Sequence, residues 1–491
     1  MPGMEEQGFS TKSRWVWPLL LVLVTLLAFG LRWYFVSTAR VVRPIRGDTL
    51  QYMAYAWNLV HHGIFSGAAK GASVVLPDSY RDPGYPLMLG AWMKLLGHGA
   101  TWYAVVLMFQ ALLGALTVTL AMLLGRYWLP VWWVVGAGIL MAVWPHSVAI
   151  DAYLLTETLF GFLCALSLLL CSRACARASI AWSIAAGLAF GAAALTNAVL
   201  LPLGVLIAAY LAWRKLVQRK VWVTLLASAI LLPGLWAIRN TQLPVQQGNK
   251  SSTDRALQNL VQGSWPLYHP AWRVWVENKD ERGRRILDTI QSEYELLRDS
   301  PAKGARAILH RIGQRPLHFA AWYLFEKPRL LWGWRIRISQ QDIYVYPTVD
   351  SPYVNQVAMR VLESLCKALN PLLALFALVA VIVVFVQAWR GPHGGRQQPA
   401  TSQIVSLLLV FVTLVYTILQ AEPRYSIPYR SLEILMGATG CYWLFGLFRR
   451  YRDGEAFTGV DLPVRHGSRS KSRGDQRSGQ NTERLCGPYP G

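Results

Sequence analysis

Long apolar runs without a single charge alternate along this chain with shorter stretches rich in Arg and Lys. Uncharged runs cover Trp15–Leu31, Thr101–Gly125, Tyr127–Ile150, Val221–Ile238, Ala368–Trp389 and Gln397–Ala421. Each is near or above the roughly 17–25 residues a helix needs to cross a bilayer. Ala178–Trp213 is long enough for two tight spans joined at Thr196-Asn197. Ala152–Ser172 and Ser431–Phe448 complete the set, with Glu157 and Glu433 near their starts. In hydrocarbon the backbone must satisfy its own hydrogen bonds, so such runs predict helices. The expectation is an all-α polytopic membrane protein with about ten transmembrane helices. Bulky "LRWYF" follows the first run where a cleavage site would need small residues, so that run reads as a retained signal anchor.

Composition agrees: of 491 residues 54% are hydrophobic, and 22 are Trp. The net charge is +22, and the placement of Lys and Arg sets orientation. "STKSR", Arg126, "SRACARA", "WRKLVQRK", "AWRGPHGGR" and "RRYR" fall at alternate span ends, which by the positive-inside rule are cytoplasmic. These residues flank spans instead of forming one basic face, which argues against a nucleic-acid partner. Residues 1–14 are then a cytoplasmic N-terminus. Residues 15–238 form a first transmembrane module that includes an outer loop, 36–100. Residues 239–367 form a large outer loop, 368–450 the C-terminal transmembrane helices, and 451–491 a basic, disordered cytoplasmic tail that touches anionic membrane lipids. In the large loop, Ile286, Ile290, Tyr294 and Leu297 recur at helical steps within 279–310, which predicts helices lying on the membrane. The six Cys make no disulfide framework, and no Cys/His spacing suggests a zinc site.

The orientation sorts the acidic residues. Asp48, Asp78, Asp82, Asp151, Glu157 and Glu422 all fall on the outer side or at its membrane boundary, where charge is costly and tends to face a cavity. In "RGDTLQYMAYAWNL", Asp48 is either the cap of a helix with an aromatic packing face or a general base at the membrane surface. In "PDSYRDPGYPLMLGAWMKLLG", Arg81 precedes a rigid Pro83/Pro86 helix start. Its planar fork suits a phosphate; the plain alternative is an Arg snorkelling to the headgroups. Glu157 in "LLTETLFGFL" either leads a helix N-terminus or supplies a second carboxylate to the cavity. Arg424, Tyr425 and Arg430 in "AEPRYSIPYRSLEILMG" suit an anionic headgroup or lipid phosphate, or form an interfacial belt.

Together these pieces resemble the GT-C membrane glycosyltransferases, in particular the branch of protein O-mannosyltransferases and the lipid A aminoarabinose transferase. "RGDTLQYMAYAWNLVHHGIFS" is similar to that family's first outer loop with its essential acidic residue. "YRDPGYPLMLGAWMKLLG" is similar to its basic, Pro-rich helix start, and "EPRYSIPYRSLEILMG" to its Arg-Tyr-x-x-Pro segment. "LTETLFGFL" followed by "GLAFGAAALTNAVLLPL" also matches. The sequence departs from the pattern with Asn197 where Arg is frequent and with Arg81-Asp82-Pro83 in place of Lys-Pro-Pro.

The resemblance implies a plasma (inner) membrane enzyme with its active site on the outer, periplasmic side. It moves a sugar from a polyprenyl-phosphate donor to a hydroxyl of a protein, lipid or glycan acceptor. Asp48 becomes the base, with Glu157 as second carboxylate. Arg81, Arg424, Tyr425 and Arg430 bind the donor phosphate, and Tyr52, Tyr55, Asn58 and Tyr85 line the substrate cavity. No cofactor is expected, and a divalent metal is left open. The competing reading is a transporter or flippase of a lipid-linked sugar, for which a matching inner set of charges and inverted repeats are not evident.

Overall fold

The computed structural model describes residues 15–243, 251–337, 342–390 and 400–453. The expected N-terminal segment, most of the basic linker after Arg390 and nearly all of the C-terminal tail lie outside them. The described chain is almost entirely helical, and seven helices are long and apolar enough to cross a membrane. These are Val16–Thr38, Ala100–Gly125, Glu157–Arg177, Arg219–Thr241, Val357–Arg390, Ala400–Ile418 and the segment Pro423–Arg452. A bent pair, Val131–Val143 with Pro145–Ala152, passes the same test jointly, and Ile180–Thr196 and Ala198–Trp213 are shorter apolar helices. Every apolar run read from the sequence is therefore helical. The shortness of three is what Pro145, Pro202 and the Thr196-Asn197 turn impose, since Pro removes a donor and breaks the ladder. The molecule is a polytopic membrane protein, and bulky side chains such as Leu19, Leu23 and Leu26 face outward as lipid contact demands.

Helix–helix contact relies on small residues, because packing rather than hydrophobic exclusion drives association in lipid. Gly187 lies so close to Ser228 and the backbone of Leu225 that no Cβ fits. A charged pair is buried deep in the bundle. The first helix runs on past Leu31, and Arg32 is sealed inside with its Nε 3.1 Å from Asp151 Oδ2. Thr158 Oγ1 donates to the other oxygen at 2.5 Å. Asp151 is thus the buried partner of Arg32.

The two long loops are tied to one another. Arg40–Val41 pairs antiparallel with Thr348–Val349. The stretch expected to be helical over 279–310 is two helices, Glu281–Asp299 and Pro301–Gln314, broken at Ser300-Pro301. Ile290, Tyr294 and Leu297 are buried against Val261 of helix Ser252–Gly263, so the helical face predicted from periodicity packs within the loop. The first of the last three long helices starts earlier than expected, with Val357–Arg390 beginning inside the stretch assigned to the outer loop.

Candidate active site

Asp48 opens the helix Asp48–His62. It is not the cap: Gly47 holds that position at φ +53°, a conformation that favours glycine, and makes no side-chain cap bond. Both Asp48 oxygens go to arginines instead. Arg81 Nη2 donates to Oδ1 at 2.7 Å and Arg424 Nη2 donates to Oδ2 at 3.1 Å. Arg424 turns its Nε to Glu157 Oε1 at 2.5 Å. Arg81 is held by Gln51 Oε1 at 2.6 Å from its Nε, and by the Tyr52 hydroxyl at 3.3 Å. The result is a row of alternating charge, Arg81, Asp48, Arg424, Glu157, drawn from four separate parts of the chain.

The row lines a cavity of about 560 Å³. Tyr52 and Tyr425 share it with Asp48, Arg81, Glu157 and Arg424. Its walls change character. Phe160, Leu201, Val415 and Leu419 give it an apolar lining, and Tyr80, Asn197, Gln258, Asn259 and Tyr268 a polar one. The Asp48 side chain remains 33% exposed, whereas Glu157 is 6% exposed. Asp48 is therefore the carboxylate a substrate can touch. Burial works against its charge, but Arg81 and Arg424 outweigh it and hold the carboxyl well below the usual carboxylate range. Burial pushes the Tyr52 phenol up to about 12, so it stays a neutral donor or acceptor.

Four of the expected residues are placed elsewhere. Tyr55 donates its hydroxyl to Asp78, which also accepts from Gly67 N. Asn58 donates to the carbonyls of Ser66 and Ala68. Both thus shape the loop after the helix and do not line the cavity. Tyr85 is fully buried, donates to Gln110 at 2.7 Å and packs edge-on against Tyr52, so it supports the cavity from behind. Arg430 is fully buried as well: it donates to Glu433 at 2.7 Å and to Gly333 O at 2.6 Å, away from the cavity. The short helical turn Ile427–Tyr429 between it and Arg424 rotates it off the site.

Sequence reasoning missed one partner. Arg255, on helix Ser252–Gly263, donates to Asp82 at 2.7 Å, and Asp82 also accepts from Ala198 N at 3.2 Å. The pair closes the polar wall by joining the first loop, the second loop and the Asn197 turn. The capping box Ser251-x-x-Asp254 that starts this helix was its legible signal. Among the described residues no group of three or more His, Cys, Asp and Glu could hold a metal ion, and the three cavity carboxylates, Asp48, Asp82 and Glu157, are each engaged by an arginine.

No family model and no curated protein matches the chain. Solved structures do. The oligosaccharyltransferase of Archaeoglobus fulgidus in its apo form superposes with a TM-score of 0.50 at 15% identity, over 92% of this chain and 53% of that one. The two chains share a fold. This chain spans about half the length of that archaeal enzyme. ArnT from Cupriavidus metallidurans bound to undecaprenyl phosphate also matches, at 15% identity over 83% of this chain and 78% of that one, with a TM-score of 0.35.

Proposed function

We propose that this chain transfers a sugar from a polyprenyl-phosphate donor to an acceptor hydroxyl at the outer face of the membrane. The observation that carries the reading is Asp48, partly open to a cavity with one apolar wall and held between two arginines. The GT-C fold shared with an oligosaccharyltransferase supports it.

The residues divide the labour. The lipid chain lies along Phe160, Leu201, Val415 and Leu419. The donor phosphate competes with Asp48 for Arg81 and Arg424, whose forks bind an anion in pairs. That exchange loosens the clamp on Asp48 and restores its basicity when the donor is in place. The acceptor oxygen then attacks the anomeric carbon, its proton passes to Asp48, and the sugar–phosphate C–O bond breaks in one inverting displacement. The departing polyprenyl phosphate takes the electron pair, and the arginines stabilise its charge. Glu157 keeps Arg424 oriented, and the Asp82–Arg255 wall holds the acceptor side of the cavity.

The test is transfer by the purified full chain in detergent with a panel of polyprenyl-phosphate sugars, together with mass spectrometry of envelope glycans in cells with the protein, without it, and with Asp48→Asn. A glycan that disappears in both deficient cells supports the reading. Identical glycans in all three cells overturn it.

A further inference from the structure

A second cavity, of about 760 Å³, lies beside the first. Arg273, Arg329, Arg335 and Arg337 line it, with Glu326 as its one acidic residue. Pro423 is part of its wall, and the next residue, Arg424, belongs to the row at Asp48. Arg337 N also donates to Glu422 Oε1 at 2.6 Å, fixing this segment to the same wall.

The arginines are placed by a simple alternation. Arg335 and Arg337 are exposed while Ile336 between them is fully buried, with its N donating to Asp342 O at 2.9 Å. In extended backbone, neighbours two apart point to one side, so both guanidiniums share the cavity face. Arg329, Arg335 and Arg337 make no ion pair among the described residues, unlike Arg81 and Arg424. Positive charge thus outweighs the single carboxylate of Glu326 here, which is the arrangement that attracts an anion.

The approach to the cavity is apolar. The segment leading into it exposes Leu317 by 85%, Leu324 by 66% and Phe325 by 71%. Bulky apolar side chains so exposed beside arginines match a surface that dips into the bilayer and meets the headgroups. A soluble anion would not need that edge; a membrane-anchored one would.

The geometry points to this cavity as the site for the anionic headgroup, phosphate or carboxylate, of a membrane-anchored acceptor, which is presented across the Pro423–Arg424 wall to Asp48. This rests on the glycosyl-transfer reading for the word acceptor, but not for the binding itself.

Binding can be measured without turnover. Purified full chain in a neutral detergent is titrated with dioctanoyl phosphatidic acid, inorganic phosphate and dioctanoyl phosphatidylcholine, followed by thermal shift and native mass spectrometry. Phosphatidic acid is expected to bind saturably and more tightly than the other two. Arg335→Gln combined with Arg337→Gln is expected to weaken it at least about tenfold, because two charge-assisted bonds are lost. Arg329→Gln gives an independent, smaller loss. Displacement of a polyprenyl phosphate from the first cavity stays as in the parent, which shows that the variants fold. Unchanged phosphatidic acid affinity in both sets of variants overturns the proposal, and so does inorganic phosphate binding as tightly as the lipid. If the lipid site behaves as expected while no donor supports transfer, the headgroup site stands and the glycosyl-transfer reading falls.

Discussion

Arg424 Nη2 lies 3.1 Å from Asp48 Oδ2, although 376 positions separate the two residues in the chain. This one contact joins the last long helical segment to the first long loop. It also places a permanent cation on the carboxylate that is most open to the cavity.

Asp48→Asn should therefore abolish transfer and leave the fold intact. The replacement is nearly isosteric, Gly47 and not Asp48 holds the cap position, and Arg81 and Arg424 retain Gln51 and Glu157 as partners. Removal of a general base costs about 10²–10⁴-fold in rate. Initial rates with saturating donor, beside a melting curve of the same sample, read both effects. Equal loss of stability and activity would make Asp48 a structural anchor.

Lys327 gives a prediction about stability. It is fully buried, donates to Gly263 O at 3.0 Å and Ile418 O at 3.3 Å, and has no carboxylate partner among the described residues. Burial lowers its pKa to about 7. Between pH 7 and the ordinary lysine range the unfolded chain binds a proton that the folded chain does not. Stability should then rise with pH across that window, by at most about 1.4 kcal/mol per pH unit, and be flat below it. Melting temperatures from pH 6 to 9 should climb in the parent and much less in Lys327→Met. A parallel climb in both would remove Lys327 as the cause.

Much of this arrangement was legible because hydrocarbon is an unforgiving solvent. Apolar runs had to be helices, and the few charges at their outer ends had to face something, which is why Asp48, Arg81, Glu157 and Arg424 stood out. What the pattern could not supply was direction. Tyr55 and Asn58 share the helix of Asp48 yet turn to the loop ending at Asp78. Arg430 follows Arg424 closely, but the turn at Ile427–Tyr429 sends it into the bundle toward Glu433. Arg32 looked like the end of a span because its partner, Asp151, was far away in sequence. The Asp82–Arg255 pair was hidden for the same reason: an ion pair between distant loops leaves no periodic trace.

The orientation of the whole arrangement can be checked by labelling. Ser292 is exposed in the large loop read as outer, and Gln218 is exposed at the start of helix Arg219–Thr241, in the Arg-rich loop read as cytoplasmic. A cysteine at Ser292 should react with an impermeant maleimide in intact cells. One at Gln218 should react only after permeabilisation. Ser264, in the same outer loop, is buried against Arg311 and is unsuitable. The reverse pattern would put Asp48 on the cytoplasmic side.

The clamp itself predicts a pH effect. Asp48 must be ionised to accept a proton, and Arg81 with Arg424 keeps it so well below the usual carboxylate range. The acid limb of kcat/KM, which reports the free enzyme, should accordingly lie below the range of an ordinary Asp. Arg81→Gln removes one of the two cations, so the Asp48 pKa should rise and the acid limb should move to higher pH. Loss of a phosphate donor should also lower kcat/KM at every pH, by roughly 10²–10³-fold for a donor preorganised toward developing charge. Arg81→Lys separates the two effects. It restores the charge and with it the position of the acid limb, but not the paired donors to Gln51 and Asp48, so the rate should stay low. An Arg that merely snorkelled to the headgroups would let Lys recover both. Rate profiles of the three proteins from pH 3.5 to 8 decide the matter: an acid limb that stays put in Arg81→Gln means that Arg81 does not set the charge on Asp48.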